Sequence, residues 1–397
     1  MTKIPLHLFK TLFAVLLLNL LGIFSASAHE VSPSIADITV TDNQIEIEIR
    51  LMAEAVLAEI DLSETTDTNE SARVAEYDRF RALEAQALAE AVRLFWPSIQ
   101  TRLHLWAAPA RQDLALRLAE VRVIGEENQE LPRFSVLRIT GSLALPSAVS
   151  FAWDSELGNL VLRQQGVENG LTEYLSDGQR SSAMNGQGAL EKRSAWGELV
   201  SYMPVGFDHI IPKGLDHILF VLGLFFLTLR ISALLWQISA FTLAHTVTLA
   251  AGAMGLVTIP GSIVEPLIAA SIVFVAVENI FSQKLNRWRP ALIFGFGLLH
   301  GLGFASVLQE FGLPDGQFIA ALIGFNIGVE IGQLTVIACG FLLLGVWFGK
   351  KSWYRAYISI PSSCLIALIG AYWVIERTIL AQDNALYFRI APRDKLF

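Results

Sequence analysis

Hydrophobic and polar positions follow two different rhythms in the first half of the chain. Residues 44–51, QIEIEIRL, alternate polar and apolar side chains strictly, which predicts a half-buried strand. Residues 73–95 instead repeat apolar side chains every three or four positions, which predicts one amphipathic helix that ends at Trp96-Pro97. Further strand-like runs lie at about 114–124, 134–143, 148–153 and 159–163. We therefore predict a mostly β, sandwich-like domain with one long helix over residues 29–175.

Long apolar runs replace these rhythms from about residue 207. Residues 176–206 begin with a stretch rich in Ser, Gly, Gln and Asn, and we predict a linker and an interfacial segment there. Each later run is long enough to cross about 30 Å of hydrocarbon as a helix. We count about six spans, at roughly 208–229, 233–256, 262–281, 290–308, 318–347 and 356–379. The predicted fold is a polytopic α-helical membrane bundle over residues 207–380, preceded by the β-rich domain and followed by a tail at 381–397.

The first 28 residues have the pattern of a secretory signal peptide. Lys3 and Lys10 precede an apolar run, and Ala26-Ser27-Ala28 is typical of a cleavage site. A signal peptide here places residues 29–206 outside the cytoplasm. The predicted location is therefore the plasma (inner) membrane.

The charges of the loops agree with this orientation. The loops placed inside carry basic residues such as Arg287 and Lys351, whereas the outside loops at 257–261 and 309–317 hold no Lys or Arg. Cytoplasmic loops of membrane proteins carry an excess of Lys and Arg. The exception is the basic tail, which an even number of spans places outside.

Composition excludes several classes of function. The chain is 53% hydrophobic and 17% charged, whereas a soluble domain carries about a quarter charged residues. Its net charge of -8 provides no basic surface for nucleic acid. The two cysteines, Cys339 and Cys364, lie in apolar runs and form neither a disulfide framework nor a thiolate metal site. Any metal must therefore be held by nitrogen and oxygen.

The predicted spans contain many polar side chains. A charged group in hydrocarbon is costly, so each one is a candidate functional residue. The predicted spans contain no Lys or Arg except Lys213 and Arg377, which lie near span ends, and buried acids without counter-ions suit a cation that binds and leaves. The predicted metal ligands are His209, Asp216, His217, His245, His300 and Glu330. The predicted transport path adds Asp208, Glu265, Glu278, Asn279, Asn326 and Gln333.

Helix geometry places several of these residues at a common depth. At about 1.5 Å per residue, Asp216, His245, His300 and Glu330 fall near the bilayer midplane, where transporters bind their substrates. By the same arithmetic, His209 lines an outer mouth together with Asp208 and Glu265.

The fifth predicted span has two distinct faces. Glu330 shares one face with Asn326 and Gln333, and it has no basic residue within a helical turn. We predict that Glu330 matters more than any other carboxylate. A small-residue stripe that favours close helix packing lies on the other side, formed by Gly324, Gly328 and Gly332.

Some of these residues also have a purely structural interpretation. Neighbouring threonines are placed to satisfy His245, and Lys213 is placed to pair with Asp216 three residues on. Glu265 precedes a proline, as first-turn acids near a helix dipole do. The sequence leaves both interpretations open.

Five motifs occur in order, each in a different span. They are HIIPKGLDHILF from His209, AFTLAHTVTL from Ala240, AVEN from Ala276, FGFGLLHGLGFA from Phe294 and FNIGVEIGQ from Phe325. Over about residues 205–345, the chain resembles the HupE/UreJ family of membrane proteins, specifically its signal-peptide-bearing branch. The spacing from His209 to Asp216 is one residue longer than in the compact permeases of this type, which also have no large outer domain. The resemblance implies a nickel or cobalt permease in which His209, Asp216, His217 and His300 take part in metal passage.

A carrier for a divalent transition metal is the function that the residues favour. Imidazole with carboxylate suits nickel and cobalt, and no nucleotide-binding loop is present, so a potential, a gradient or a partner would drive transport. We expect no permanently bound cofactor, because the ion is the cargo. One alternative is an intramembrane zinc hydrolase with His217, His245 and His300 on one ion and Asp216 or Glu330 as base. Another is a non-transporting scaffold in the lipid whose outer domain binds a periplasmic or membrane partner.

His29 is a candidate for a separate metal site in the outer domain. Cleavage after Ala28 leaves both an α-amine and an imidazole on this residue, which together form a bidentate chelate. We predict that an extra residue ahead of His29 would abolish any such site.

Overall fold

A computed structural model describes most of the chain between residues 31 and 390. The gaps are residues 32, 66, 108–115, 125–132, 144–146, 169, 191–193, 283–285 and 312–316, and side chains are also not described at 70, 306–307, 309–311 and 380–390. The predicted signal peptide, His29 and the end of the tail lie outside the described residues. The chain divides into two compact units, the first up to Glu168 with Leu175–Leu190 and the second with Asn169–Tyr174 and everything from Glu191.

The N-terminal region is β-rich, as predicted, and holds two sheets. The strand orders are β4-β5-β2-β1-β7-β8 and β10-β9-β6-β3, with β1 antiparallel to β2 and parallel to β7. The strands are β1 Ser34–Val40, β2 Gln44–Leu51, β3 Leu103–Ala107, β4 Arg117–Ile124, β5 Phe134–Ser142, β6 Val149–Trp153, β7 Leu160–Gln164, β8 Thr172–Leu175, β9 Met184–Asn185 and β10 Gly188–Ala189. The helices of this region are α1 Ala53–Leu57, α2 Val74–Arg81 and α3 Ala85–Thr101, with single turns at Thr68–Glu70 and Ser155–Leu157.

The alternation in β2 sets the inner and outer faces of the larger sheet. Ile45, Ile47, Ile49 and Leu51 are buried, while the polar residues between them are partly exposed. The strands predicted from the same kind of pattern are confirmed as β2, β4, β5, β6 and β7. Among the described residues, the pattern missed β1, β3, β8 and the two-residue strands β9 and β10.

The single helix predicted over residues 73–95 is wrong, because the segment forms two helices with a break at residues 82–84. The buried Arg133 donates hydrogen bonds to the carbonyl oxygens of Phe80 and Leu83 at 3.1 and 2.8 Å. Its Nε donates to the buried Glu54 carboxylate at 2.7 Å. The guanidinium thus satisfies carbonyls that a continuous helix would have used, and the chain turns there.

Pro97 does not end the following helix. It lies inside α3, which continues to Thr101 and buries Leu88, Val92 and Ile99. The burial of this apolar face outweighs the one backbone hydrogen bond that a proline removes. Further along, the predicted linker contains the paired strands β9 and β10, which belong to the smaller sheet.

The second unit is helical, and its composition marks a multi-pass membrane protein. In the part of the chain that the structure describes, four helical segments are long and apolar enough to cross a membrane: Ile231–Ala253, Gly261–Phe281, Phe318–Phe348 and Arg355–Ile379. A bent helix pair makes a fifth candidate, and Arg289–Ala305, in the fourth predicted span, is a shorter apolar stretch. Its helices are α4 Ala195–Ile210, α5 Leu215–Leu227, α6 Ile231–Ala253, α7 Gly261–Phe281, α8 Arg289–Phe311, α9 Phe318–Gly340 and α10 Ile360–Ile390. A turn of π-helix at Phe341–Gly345 extends α9, and another at Arg355–Ser359 precedes α10. Because α10 continues to Ile390, the predicted tail at 381–397 begins as helix.

The first predicted span is not one straight helix. Helices α4 and α5 meet at a bend of 75° across residues 211–214, and α4 begins at Ala195, well before the predicted start at 208. The prediction counted 208–229 as one span although the bend contains Pro212 and Gly214, two residue types that interrupt helices.

Helix α9 packs closely on α4 through its glycine stripe. A Cβ built on Gly328 would overlap the carbonyl oxygen of Met203, and one on Gly206 would overlap that of Phe325. Only hydrogen fits between backbones at this separation. The predicted packing role of the stripe is confirmed, and α4 is the helix that it contacts.

A candidate metal centre of four histidines

The bend between α4 and α5 brings the two ends of one sequence motif together. His209 lies in the last turn of α4, and Asp216 and His217 lie in the first turn of α5. In one continuous helix, positions eight apart would be separated by about 12 Å along the axis. Here the ring centroids of His209 and His217 are 4.9 Å apart. The sequence analysis placed His209 at an outer mouth with Asp208 and Glu265, whereas the structure places its ring beside that of His217.

Two more helices add one histidine each. The ring of His300 on α8 lies 4.8 Å from that of His217, and the ring of His245 on α6 lies 5.9 Å from it. The exposed fractions of His217, His245 and His300 are 3, 0 and 1%. Helices α6 and α8 approach closely because Gly301 faces the backbone of His245, where a Cβ would overlap its carbonyl oxygen. Four rings from four helices thus form one cluster, which we call the histidine cluster.

The contacts of Ser271 on α7 determine which nitrogen of His300 is free. The Ser271 hydroxyl donates its hydrogen to the carbonyl oxygen of Ile268 at 2.7 Å, and the same oxygen lies 3.1 Å from His300 Nε2. Because the hydroxyl has only one hydrogen, its oxygen accepts from His300 Nε2–H. The neutral ring then has its lone pair on Nδ1.

Asn326 on α9 has the same effect on His245. Its amide nitrogen donates to the Leu322 carbonyl oxygen at 2.8 Å, and its Oδ1 lies 3.1 Å from His245 Nδ1. An amide oxygen only accepts, so the hydrogen is on Nδ1 and the lone pair is on Nε2. The structural interpretation in which threonines satisfy His245 is wrong, because the hydroxyl of Thr246 donates instead to the Thr242 carbonyl oxygen of its own helix.

Asp216 orients His217. Its Oδ1 accepts from the backbone N–H of His217 at 2.8 Å and lies 3.0 Å from His217 Nδ1. A carboxylate oxygen accepts, so Nδ1 carries the hydrogen and Nε2 the lone pair. Metal-ligating histidines are held in this way by a second contact on the opposite ring nitrogen.

The remaining nitrogens are buried without a partner. Within the described part of the chain, His209 Nε2, His217 Nε2, His245 Nε2 and His300 Nδ1 are each inaccessible to solvent and make no hydrogen bond. Two sets of potential ligand atoms lie within 4.8 Å of one another, His209 with His217 and His245, and Asp216 with His217 and His300. Leaving so many polar atoms unpaired is costly, and a bound cation would remove that cost.

The comparisons with known proteins place this region in a family. Residues 185–377 match the family model described as "HupE / UreJ protein". This region is a HupE/UreJ domain. HupE/UreJ proteins form a nickel and cobalt transporter family rather than a class of enzymes. No curated protein and no solved structure matches the chain.

Phenylalanines surround the histidine cluster of the HupE/UreJ domain. The ring centroid of Phe304 lies 4.2 Å from that of His209, and Phe325 stacks on Phe304 at 5.4 Å. Phe220 lies 5.2 Å from His300 and Phe241 5.0 Å from it. An apolar wall lowers the local dielectric, so interactions between a cation and its ligands are stronger there than in water.

Glu330 lies outside both sets of potential ligands. Its carboxylate accepts a hydrogen bond from Ser239 on α6 at 2.7 Å, and the neighbouring Gln333 accepts one from Thr242 at 3.2 Å. The polar face of α9 is thus paired with α6 along its length, and only its Asn326 reaches a histidine. Asp216 is the carboxylate that the structure places beside the histidines.

Glu278 has a counter-ion, contrary to the sequence prediction. Arg289, the first residue of α8, is buried and pairs with the Glu278 carboxylate, and its Nε donates to Gln237 at 2.8 Å. The sequence prediction had Glu278 at the inner end of the third span and Arg289 in the inside loop that follows, but it did not pair them. This ion pair joins α6, α7 and α8, so Glu278 has a structural partner rather than an open position on a path.

The other predicted path residues lie apart from the cluster. The buried Asn279 donates to the Gly223 carbonyl oxygen at 2.7 Å and to the Ser363 hydroxyl at 3.2 Å, which joins α5, α7 and α10. Glu265 is exposed on α7, and Asp208 is partly exposed on α4. Neither belongs to a set of potential ligands among the described residues.

Sequence analysis did not assign Ser271 any role. It is a small polar residue in an apolar run, and such residues are common at helix contacts in membranes. Only the position of His300 on the neighbouring helix gives it a function, so no local signal identifies it.

Proposed function

We propose that the HupE/UreJ domain is a carrier for a divalent transition metal, nickel or cobalt, and that the ion passes through the histidine cluster. The observation that carries this proposal is the set of oriented histidines. Asp216, Asn326 and Ser271 hold the ring hydrogens of His217, His245 and His300, and the lone pairs are left on buried nitrogens that make no hydrogen bond. Imidazole nitrogen with one carboxylate is a ligand set that suits nickel, cobalt and zinc.

The broken helix supports the same proposal. Transporters of several kinds bind substrate where a membrane helix is interrupted, because the freed helix ends carry partial charges. The C-terminal end of α4, which is partially negative, lies at His209 and favours a cation. Asp216 in the first turn of α5 offsets the partial positive charge of that helix end.

The hydrolase alternative fits the cluster less well. It requires His217, His245 and His300 on one ion with a fourth position open for water. Among the described residues, these three do not form one set of potential ligands, because His245 groups with His209 and His300 groups with Asp216. The family is also not a class of enzymes.

The N-terminal region supports a proposal about location. We propose that the β-rich N-terminal region lies outside the cytoplasm and that the HupE/UreJ domain lies in the plasma (inner) membrane, since the signal-peptide pattern and the basic loops agree. The outer domain is then available to a periplasmic or membrane partner.

Metal uptake by proteoliposomes tests the proposed function. Full-length protein is reconstituted into vesicles that contain a metal-sensitive dye, nickel or cobalt is added outside, and His217→Ala is compared with the parent. We expect His217→Ala to reduce the initial rate at least about tenfold, since it removes a ligand common to both sets. Thr246→Val is the matched control, because the Thr246 hydroxyl bonds only within α6 among the contacts described. Equal rates in the parent and His217→Ala would contradict the proposal.

A further inference from the structure

The two sets of potential ligands share one residue. His217 belongs to the set with His209 and His245 and also to the set with Asp216 and His300. The first set, the imidazole position, contains three nitrogens and no formal charge. The second set, the mixed position, contains two nitrogens and a carboxylate.

The neutral ring of His217 has one nitrogen whose lone pair is available to a metal ion. Its Nδ1–H donates to Asp216 Oδ1, with 3.0 Å between the nitrogen and the oxygen, and its Nε2 is buried without a hydrogen bond. One imidazole lone pair binds one metal ion. Both positions therefore compete for His217 Nε2, and they cannot hold an ion through it at the same time.

We propose that the histidine cluster provides two alternative positions for one ion, which moves between them while His217 remains bound. This inference rests on the proposed carrier function. In the transfer, the bonds from the ion to His209 and His245 break as a bond to His300 forms, while Asp216 keeps the Nδ1 hydrogen of His217 and supplies a negative charge to that side of the cluster. The ion keeps its 2+ charge, and His217, His245 and His300 release no proton, because each already has a lone pair on its nitrogen without a hydrogen bond.

The surroundings of the two positions differ in a way that fits this division. The stacked rings of Phe304 and Phe325 lie against His209, at the imidazole position. Phe220 lies against His300, at the mixed position. Phe241 joins these two walls, because its ring centroid lies within 6.2 Å of those of His217, His245 and His300. An ion that exchanges ligands within these walls does not need to regain its water shell, which would be the costly step in a low-dielectric site.

Cobalt binding to the purified, metal-free, full-length protein tests the proposal. The bound Co²⁺ is counted by elemental analysis, and its visible absorption reports the ligand set and geometry. We expect one ion per parent chain. His245→Ala removes a ligand of the imidazole position only, and His300→Ala removes one of the mixed position only. We expect each variant to bind one ion with a different spectrum, while His217→Ala binds at least about 100-fold more weakly than the parent.

Three results would overturn the proposal. Two ions bound to the parent chain would show that the positions are not alternatives, and this count needs no variant. Identical spectra for His245→Ala and His300→Ala would show one position. Complete loss of binding in either variant, with Thr246→Val unaffected, would show that all the histidines hold a single ion. If alanine lowers the yield of folded protein, glutamine at the same positions preserves size and polarity.

The cobalt experiment and the uptake experiment fail independently. If parent vesicles move no metal but the two spectra differ, the carrier function is wrong and the two positions stand as binding sites. If parent vesicles move metal but the two variants share a spectrum, the carrier function stands and the division into two positions is wrong.

Discussion

Ser271 on α7 accepts a hydrogen bond from His300 on α8, with 3.1 Å between the hydroxyl oxygen and Nε2, while its own hydrogen is given to Ile268. This contact fixes both the orientation of the ring and the nitrogen that faces the cluster. Ser271 is therefore a positioning residue that does not itself bind the ion.

Ser271→Ala is expected to weaken metal binding without preventing folding. The ring of His300 loses its partner, so it samples other orientations, and the affinity for Ni²⁺ should fall about 10- to 100-fold. Ser271→Thr retains the hydroxyl and should restore most of the affinity. Competition with a chelator of known affinity measures both variants. Ser363→Ala, at an equally buried serine on α10, is the control, and an equal loss in that variant would contradict a specific role for Ser271.

Replacing the two carboxylates separately shows which one serves the ion. Asp216→Asn removes a negative charge beside His217. The amide nitrogen of Asn is a donor, and it would meet His217 Nδ1–H, which is also a donor. We expect it to lower Ni²⁺ affinity at least about tenfold. Glu330→Gln keeps an acceptor for Ser239 and should bind almost as the parent does. The reverse order of effects would favour the sequence prediction that Glu330 is the principal carboxylate.

The close packing of α4 on α9 predicts a strong difference between two glycines. Gly328→Ala places a methyl group against the Met203 carbonyl oxygen and should destabilise the domain by about 1–3 kcal/mol. Gly295→Ala on α8 meets nothing within 4 Å and should be neutral. Thermal unfolding of the two full-length proteins in the same detergent provides the measurement. If both substitutions lower the unfolding temperature equally, the helix contact is not as close as described.

The buried Arg133 should stabilise the break between α2 and α3. Arg133→Met leaves the buried Glu54 with Arg81 as its remaining partner, at 3.5 Å, and removes the donors to the carbonyls of Phe80 and Leu83, so we expect a loss of about 1–3 kcal/mol. Hydrogen–deuterium exchange in the full-length chain should become faster at residues 80–85. Arg122→Met, at a half-exposed ion pair on β4, should change stability by less than about 1 kcal/mol. Unchanged exchange in Arg133→Met would contradict this account of the break.

The proposed orientation is testable by cysteine labelling. In a chain with Cys339 and Cys364 replaced by alanine, Arg287→Cys should react with a membrane-impermeant reagent only from the cytoplasmic side. Thr258→Cys, in a loop without basic residues, should react only from the opposite side. Both positions are exposed in the structure. Labelling of position 287 from outside would reverse the proposed topology.

Local patterns predicted local structure well. The alternation of residues 44–51 depends only on which face of a strand is buried, and the structure has the same inner residues. The break after α2 depends on Arg133, which lies more than fifty positions away from that helix in the sequence. A period of three or four positions contains no information about such a distant partner, so the pattern predicted one helix.

The sequence singled out the residues of the histidine cluster but not their arrangement. The histidines and Asp216 stand out because polar side chains are costly in an apolar run. Their arrangement depends on the 75° bend after α4. Pro212 and Gly214 mark a possible break in the sequence, but they do not give the angle between the two helices. Straight-helix arithmetic therefore moved His209 away from the site. It also did not predict the ion pair between Glu278 and Arg289, because contacts between helices depend on the tertiary structure.

Nickel K-edge X-ray absorption of the purified, full-length protein tests the central claim most directly, because it reports the atoms bound to the ion. The account predicts about one Ni²⁺ per chain, with the multiple-scattering pattern of two or three imidazoles around it and a marked loss of that pattern in His217→Ala. A bound ion that shows only oxygen neighbours, or an imidazole pattern that His217→Ala leaves unchanged, would contradict the assignment of the histidine cluster as the metal centre.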